Sequence, residues 1–378
     1  MPLLTRTELE STQPDERLFV GRDEVEFVAY TSVTTSGNPM VIYFSTVENR
    51  YFDPTLGTEA RRILIAHPPL SRNFGHTFIQ QCRQAKNKST PIFADYQNLA
   101  NSAVIAAKVK ADAICTIPTI AFDFAKYLEK YYDLNLIKLL IVSSETLTSA
   151  KREILQEKFP NAAIANVYGS AEVGQFFLYP CKRILENKTD EFHVLKPTVL
   201  MAELINGELV VTYADNRAMP LIRYRTGDYF EIAKENCSCG LTGPVLRWSG
   251  RENIDRIRIG GVEIKVANVE ETFRQILHLT GDKYQLHFYE IKESSGFKIK
   301  TVIEILRDKS DNSLFSEDDI NSAVTRHLLN NWVLAPQITL GKAVEQNSFT
   351  MPEIKFVDEF SLKSSKMRRL VPHFNESR

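Results

Sequence analysis

Cysteine is scarce in this chain: five residues in 378. A sequence of that length with so few thiols is not held together by a disulfide framework. Tryptophan occurs only twice. Neither sign of charge dominates, because 46 Lys and Arg stand against 47 Asp and Glu, for a net charge of -1. That balance gives no global pull toward nucleic acid or an anionic membrane surface, so neither partner is expected. No apolar run is long enough to span a bilayer. The opening residues Met1 to Glu8 carry an early acid and no apolar core, so a secretory signal is not expected and a cytoplasmic location is the default. There is no internal repeat, and no Gly-Lys-Ser/Thr phosphate loop of the Walker type.

What is present is the composition of a soluble globular protein, 43% hydrophobic and 25% charged. The length exceeds one ordinary core and suits two or three domains. From about residue 60 to 230, short apolar runs alternate with amphipathic stretches. Ile63–Ala66, Ala113–Ile117, Ile137–Val142 and the run ending at Val167 read as buried strands. Phe124, Tyr127, Leu128 and Tyr131 recur at helical spacing, and Thr148 or Ser149 can cap the helix carrying Ile154 and Leu155. The alternation predicts an α/β layer with parallel pairing, with functional loops at the carboxyl ends of its strands. Asn206-Gly207 between two apolar runs predicts a hairpin in a more β-rich portion. Beyond Arg251 the chain reads as a smaller α+β unit. It has helices over 270–277 and 317–329, paired strands over 284–291 and 297–306, and a strand over 352–358. The fold class is therefore α/β, a large N-terminal domain with mixed and parallel sheets and a β-rich portion, plus a small α+β C-terminal domain. The domains are placed at 1–250 and 251–378.

The segment Leu221-Ile222-Arg223-Tyr224-Arg225-Thr226-Gly227-Asp228 puts an acid at the end of a turn after two arginines. A carboxylate there can accept two hydrogen bonds from the cis-diol of a ribose. Upstream, Tyr30 to Pro39 packs five Ser/Thr hydroxyls beside Gly37, and such donors suit the many acceptor oxygens of a phosphate chain. Taken alone, that loop is more often a plain Ser/Thr turn. Tyr168-Gly169-Ser170-Ala171-Glu172 offers a flat aromatic face, close backbone approach and a carboxylate able to hold Mg²⁺. Ser143-Ser144-Glu145-Thr146 follows a buried strand and, by itself, is an ordinary β–α turn.

The order of these segments, followed by Gly250-Arg251 and a terminal Ser364-Ser365-Lys366, resembles the adenylate-forming superfamily of acyl- and aryl-CoA synthetases, adenylation domains and luciferases. The phenylacetate–CoA ligase branch is the nearest in pattern, from about residue 28 to the C-terminus. The resemblance implies a two-domain ligase that joins ATP to a small carboxylic acid with release of pyrophosphate. The acyl group then passes to coenzyme A or to a carrier-protein pantetheine. It assigns Thr31, Ser32, Thr34, Thr35, Ser36 and Gly37 to the phosphates. Ser144 and Glu145 go to the adenine and acyl pockets. Tyr168, Gly169 and Ser170 go to adenine and the α-phosphate, Glu172 to Mg²⁺, Asp228 to the ribose and Arg251 to ribose or phosphate oxygens near a hinge. Lys366 becomes the cation that neutralises the charge developing at the α-phosphorus, with Lys363 the rival position. Gly260 and Gly261 lie where a pantetheine arm would pass backbone.

This chain departs from the pattern at Val33 and at Ser36-Gly37-Asn38, and it has only about thirty residues before the phosphate loop. The altered loop motivates a second class of reading, a weakened nucleotide-binding regulator, against which the intact Asp228 and Lys366 argue; a third reading, an amide or ester synthetase, keeps the adenylate and changes the acceptor. Cys237-Ser238-Cys239-Gly240, with Cys181 and His193, has the composition of a closed structural zinc site, although reduced cysteines in a turn would look the same. In the acyl region Arg72, Phe74, His76 and Phe78 are the larger groups, and they leave the identity of the acid open.

Overall fold

The computed structural model describes residues 2–31, 40–45, 53–67, 78–79, 81–83, 85, 88–145, 147, 149–194, 200–251, 256–259, 262–265, 284–293, 296–307, 317–335, 338–361 and 370–373. The chain divides into two compact units, residues 1–147 with 155–252, and 148–154 with 253–378.

In the first unit, β1 (Val25–Tyr30) and β2 (Val41–Ser45) form an antiparallel ribbon that closes on the Tyr30–Val41 pair. A five-stranded parallel sheet follows, built from β3 (Arg62–Ile65), β4 (Thr90–Phe93), β5 (Ala113–Thr116), β6 (Leu139–Val142) and β7 (Ala163–Asn166). Its spatial order is β4-β3-β5-β6-β7. Ile63 to Ile65, Ala113 to Cys115 and Leu139 to Val142 are fully buried, as expected where helices or loops cover both faces of a parallel sheet. Pro91 is tolerated because β4 is an edge strand. Pro118, which follows the run Ala113–Ile117, is the first residue of the helix Pro118–Leu128, where its missing N–H costs nothing. Tyr131 lies beyond that helix and is exposed. After β3 the chain crosses to β4 on one side and returns to β5 on the other. That reversal opens a crevice at the carboxyl ends of β3 and β5.

A seven-stranded antiparallel sheet completes the unit. It comprises β8 (Tyr168–Ser170), β9 (Gly174–Tyr179), β10 (Glu191–Val194), β11 (Met201–Ile205), β12 (Glu208–Tyr213), β13 (Leu221–Lys234) and β14 (Val245–Arg251), in the order β11-β12-β13-β14-β10-β9-β8. The β11–β12 hairpin turns on Asn206 (φ 52°) and Gly207 (φ 83°), the two positive values that a type I′ turn requires. Between β12 and β13, Glu208 pairs with Tyr229 while Val210 pairs with Arg225. Two steps of one strand thus oppose four of the other, and Thr226, Gly227 and Asp228 bulge from the ladder. Gly227, at φ 74°, supplies the left-handed backbone that such a bulge needs.

The second unit holds the two-stranded pair β15 (Arg256–Ile259) and β16 (Val262–Lys265). Its main sheet is built on the long hairpin β17 (Tyr284–Glu293) and β18 (Gly296–Leu306). The short pair β19 (Val333–Ala335) and β20 (Ile338–Thr339) follows the helix Glu317–Asn331. Then β21 (Glu353–Val357) and β22 (Leu370–His373) add in parallel to either side of the hairpin. Leu286, Phe288, Ile303, Val324, Leu328 and Trp332 form its core. Of the expected elements, the helix over 270–277 lies outside the described residues. Among the described residues no helix is long and apolar enough to cross a membrane.

Candidate functional site

Asp228 lies within the long strand β13, at its bulge, rather than at the end of a turn. The bulge re-aims the carboxylate, and Asp228 is only 8% exposed. Its amide donates to the Thr226 hydroxyl at 3.2 Å, and that hydroxyl donates to the Leu209 carbonyl at 2.8 Å. The Gly227 amide donates to Glu208 Oε1 at 3.0 Å. Arg225 pairs with Glu208 on the adjacent strand β12, and Arg223 with Glu203 on β11, one strand further out. The two arginines of the motif therefore bind sheet carboxylates and fix the strand. The Tyr168 hydroxyl donates to Asp228 Oδ2, joining segments 60 positions apart. Its ring packs edge-on against Phe177 and Phe230. Tyr168 follows β7, the edge strand, so this pair stands at the carboxyl end of the parallel sheet.

The turn after Tyr168 is held locally. The Ser170 hydroxyl accepts from the Val173 amide at 3.2 Å, and Gly174 has φ 104°. Glu172 in that turn is buried. Its Oε1 receives the Arg6 guanidinium at 3.2 Å and the Tyr224 hydroxyl at 3.4 Å. A buried carboxylate with so few partners is the donor that Mg²⁺ takes alongside phosphate oxygens, so the residue fits that ion. Arg6 was not singled out from the sequence. The readable signal was Thr5-x-x-Glu8, a capping box that starts the helix Arg6–Ser11. Nothing in the spacing announces a partner 166 positions away.

At the other strand ends, His67 after β3 meets Ser143 after β6, with Nε2 3.0 Å from Oγ. His67 is a buried polar group at the switch point, and it was not singled out from the sequence. Ser144 has φ 63° and is exposed. Glu145 is buried and accepts from the amide (3.1 Å) and hydroxyl of Thr119, at the amino end of the helix Pro118–Leu128. A carboxylate there is stabilised by the helix dipole, so Glu145 anchors that helix. Thr31 pairs with Met40, the residues on either side of the hydroxyl-rich segment 32–39. Its amide donates to the Met40 carbonyl at 3.0 Å, and its hydroxyl accepts from the Met40 amide at 2.9 Å. Ser32, Thr34, Thr35, Ser36, Gly37, His76, Gly260, Gly261, Lys363 and Lys366 lie outside the described residues, as does the side chain of Arg251.

Cys181, His193, Cys237 and Cys239 come together, with all four donor atoms within 4.8 Å of one another. Cys181 caps the helix Lys182–Asn187, His193 sits on β10, and the two other cysteines follow β13. Cys181 Sγ lies 3.8 Å from Cys237 Sγ, and Cys239 Sγ lies 3.4 Å from His193 Nε2. A tetrahedral zinc with ordinary bond lengths sets S···S at about 3.8 Å and S···N at about 3.6 Å. The residues fit that ion in number, type and spacing. Burial pushes the Cys181 thiol up to about 12. Burial would raise the Cys237 thiol, but hydrogen bonds with Cys239 and Cys181, with Lys234 nearby, together hold it below the ordinary thiol range. Burial lowers His193, against the opposing pull of Glu191. Glu191 itself is kept low despite burial by Lys234 and Arg247. His193 Nδ1 is buried with no acceptor among the described residues. The remaining cysteines, Cys82 and Cys115, are core residues of the parallel-sheet unit.

With this geometry in hand, comparison with known proteins identifies the fold. No protein-family profile matches the chain. The fold follows the 2-hydroxyisobutyryl-CoA ligase solved with 2-HIB-AMP and CoA, with a TM-score of 0.62 at 16% identity, covering 98% of this chain and 80% of that one. It also follows the o-succinylbenzoate CoA synthetase of Bacillus subtilis, with a TM-score of 0.52 at 16% identity, covering 92% and 69%. The fold is that of the adenylate-forming enzymes. In sequence, the chain is 26% identical over 193 residues to the phenylacetate-coenzyme A ligase of Pseudomonas putida, 47% of this chain and 42% of that protein. It is 30% identical over 148 residues to protein CapK of Staphylococcus aureus, 38% of this chain and 31% of that protein. The chain thus matches less than half the length of either curated relative. The first of these carries the resemblance to the phenylacetate–CoA ligase branch.

Proposed function

We propose that this chain activates a carboxylic acid as its acyl-adenylate and transfers the acyl group to a thiol, with coenzyme A the acceptor. The observation that carries this reading is the Tyr168–Asp228 hydrogen bond. It joins the two segments assigned to adenine and ribose, at the carboxyl end of a parallel sheet in the adenylate-forming fold. An isolated turn aspartate has no reason to be buried there beside an aromatic hydroxyl.

The chemistry has two balanced steps. A carboxylate oxygen of the acid attacks the α-phosphorus of ATP, a P–O bond forms, and the bond to the pyrophosphate oxygen breaks. The thiolate sulfur then attacks the acyl carbon, and AMP leaves with the bridging oxygen. In the first step two anions must approach each other. Asp228 would fix the ribose, and the Tyr168 ring would flank the base. The Lys366 ammonium would screen the charge at the reacting phosphorus. Mg²⁺ bound with the nucleotide would supply Lewis-acid charge neutralisation. Glu172 would be the carboxylate that holds it. The unit spanning residues 253–378 would act as the mobile small domain, carrying Lys366 for adenylation and Gly260-Gly261 for the pantetheine arm. The Cys181, His193, Cys237 and Cys239 cluster would hold a structural zinc with no open position, and so would take no part in either step.

ATP–pyrophosphate exchange across a panel of aryl, acyl and amino acids tests the first step. Exchange driven by one class of acid, followed by its CoA thioester in the mass spectrum, is the expected result. Silence with every acid, alongside measurable ATP binding, would instead make the chain a nucleotide-binding regulator. An amide or ester product would keep the first step and change the acceptor.

A further inference from the structure

The N-terminal segment docks on the strand that carries Asp228. Strand β14 pairs with β13 only from Asp228 onward, which leaves the edge near residues 223–225 open. Leu4 fills that edge as a short parallel addition. Its amide donates to the Arg223 carbonyl at 3.0 Å, and the Arg225 amide donates to the Leu4 carbonyl at 2.8 Å. Thr5 and Glu8 then form a reciprocal capping box that starts the helix at Arg6. Backbone pairing and cap together fix where the Arg6 side chain emerges, and neither uses its guanidinium.

That guanidinium is unevenly satisfied. Nε donates to Glu10 Oε1 at 2.7 Å and Nη1 to Glu172 Oε1 at 3.2 Å. Nη2 is buried with no acceptor among the described residues. Glu172 is equally lopsided, because both Arg6 and Tyr224 address its Oε1. A pair built for stability alone would take the bidentate geometry that Arg and carboxylate favour. This one satisfies a buried carboxylate partially, through a cation delivered by a separate segment.

We propose that Arg6 is the resident counter-ion of Glu172 and opposes the divalent cation that enters with the nucleotide. The inference rests on the reading of Glu172 as the cation's ligand. Arg6 is a positioning residue, since it acts through Glu172. With no nucleotide bound, it neutralises a carboxylate that would otherwise be buried and uncompensated. When a divalent cation takes either oxygen of Glu172, the guanidinium stands within a few ångströms of a like charge and must withdraw. The N-terminal segment thereby weakens binding of the metal–nucleotide complex and leaves binding of the metal-free nucleotide unchanged.

The test is equilibrium binding of α,β-methylene-ATP to the full chain, with EDTA or with Mn²⁺, read as the ratio of the two dissociation constants. In the unsubstituted protein Mn²⁺ tightens binding. Arg6→Gln removes the opposing charge and raises that ratio by about tenfold. Arg6→Lys keeps the charge and leaves the ratio near the original. Glu172→Gln abolishes the metal dependence with either residue at position 6. An Arg6→Gln ratio equal to or below the original, with Glu172→Gln still losing its metal dependence, overturns the inference alone. A Glu172→Gln protein that keeps the full Mn²⁺ effect overturns the cation reading and the inference together. Thermal unfolding of each variant shows that the docked segment remains in place.

Discussion

Replacing Asp228 with asparagine keeps the shape of the bulge and removes its charge. The backbone contacts that hold the bulge run through Thr226, Gly227, Leu209 and Glu208, so the substitution leaves the loop where it is. What changes is the acceptor set. An ionised Asp228 accepts from Tyr168 and can accept from both ribose hydroxyls, whereas an amide offers one oxygen and one donating nitrogen. Hydrogen bonds to a charged group are worth about 1.5–3 kcal/mol each. Loss of one such bond predicts a rise of roughly 10- to 100-fold in the KM for ATP, at 1.4 kcal/mol per decade. The ribose lies away from the reacting phosphorus and is held alike in ground and transition states, so kcat should change little. The sharper assay is a cycle with 2′,3′-dideoxy-ATP. The unsubstituted protein should discriminate strongly between ATP and the dideoxy analogue, and the Asp228→Asn protein should bind the two almost equally. Undiminished discrimination in the variant would refute the assignment of Asp228 to the ribose.

Protein purified without chelator should carry one zinc per chain by elemental analysis, and Cys239→Ser should lose the metal and unfold at a lower temperature. Zinc-free protein from such a preparation would contradict the cluster reading. In the second unit, His287 Nδ1 bonds His373 Nε2 at 2.9 Å, and its Nε2 lies 3.4 Å from Glu304 Oε2. Burial lowers His287, so the unfolded chain binds the extra proton first. Stability is therefore full above the ordinary value of 6.5 and falls as pH drops below it. Burial would raise Glu304, but bonds from the side chain and amide of Ser361, with His287, hold it below its ordinary 4.5. Its contribution is lost at lower pH still, as pH passes down through that depressed value. Denaturant midpoints between pH 7 and 5 should fall for the unsubstituted protein and fall less for His287→Asn. Equal slopes would contradict this account.

Much of the frame was legible because it is local. The buried strands announced themselves as apolar runs bounded by prolines and polar turns. Asn206-Gly207 specified its own turn, because few other residue pairs adopt two positive φ values. The strand Thr90–Phe93 was missed because Pro91 and its polar flanks argue against a strand in general, and only its place at a sheet edge makes it acceptable. The bulge at Asp228 was invisible for a related reason. It exists only relative to the register of β12, and the sequence of β13 alone reads equally well as a turn. The set Cys181, His193, Cys237 and Cys239 was named from the sequence, but only the Cys-x-Cys pair is local, and Cys181 and His193 reach it through the order β9-β10-β14-β13. The Arg6–Glu172 pair had no sequence signal at all, since it depends on an edge that another strand leaves open.

The most direct measurement follows one oxygen atom. The protein is incubated with ATP, coenzyme A and the accepted acid labelled with ¹⁸O in both carboxylate positions, and the nucleotide product is weighed. An acyl-adenylate route predicts AMP carrying one ¹⁸O, unlabelled pyrophosphate, and a thioester that retains the other label. ADP with labelled inorganic phosphate, or AMP without label, would contradict it.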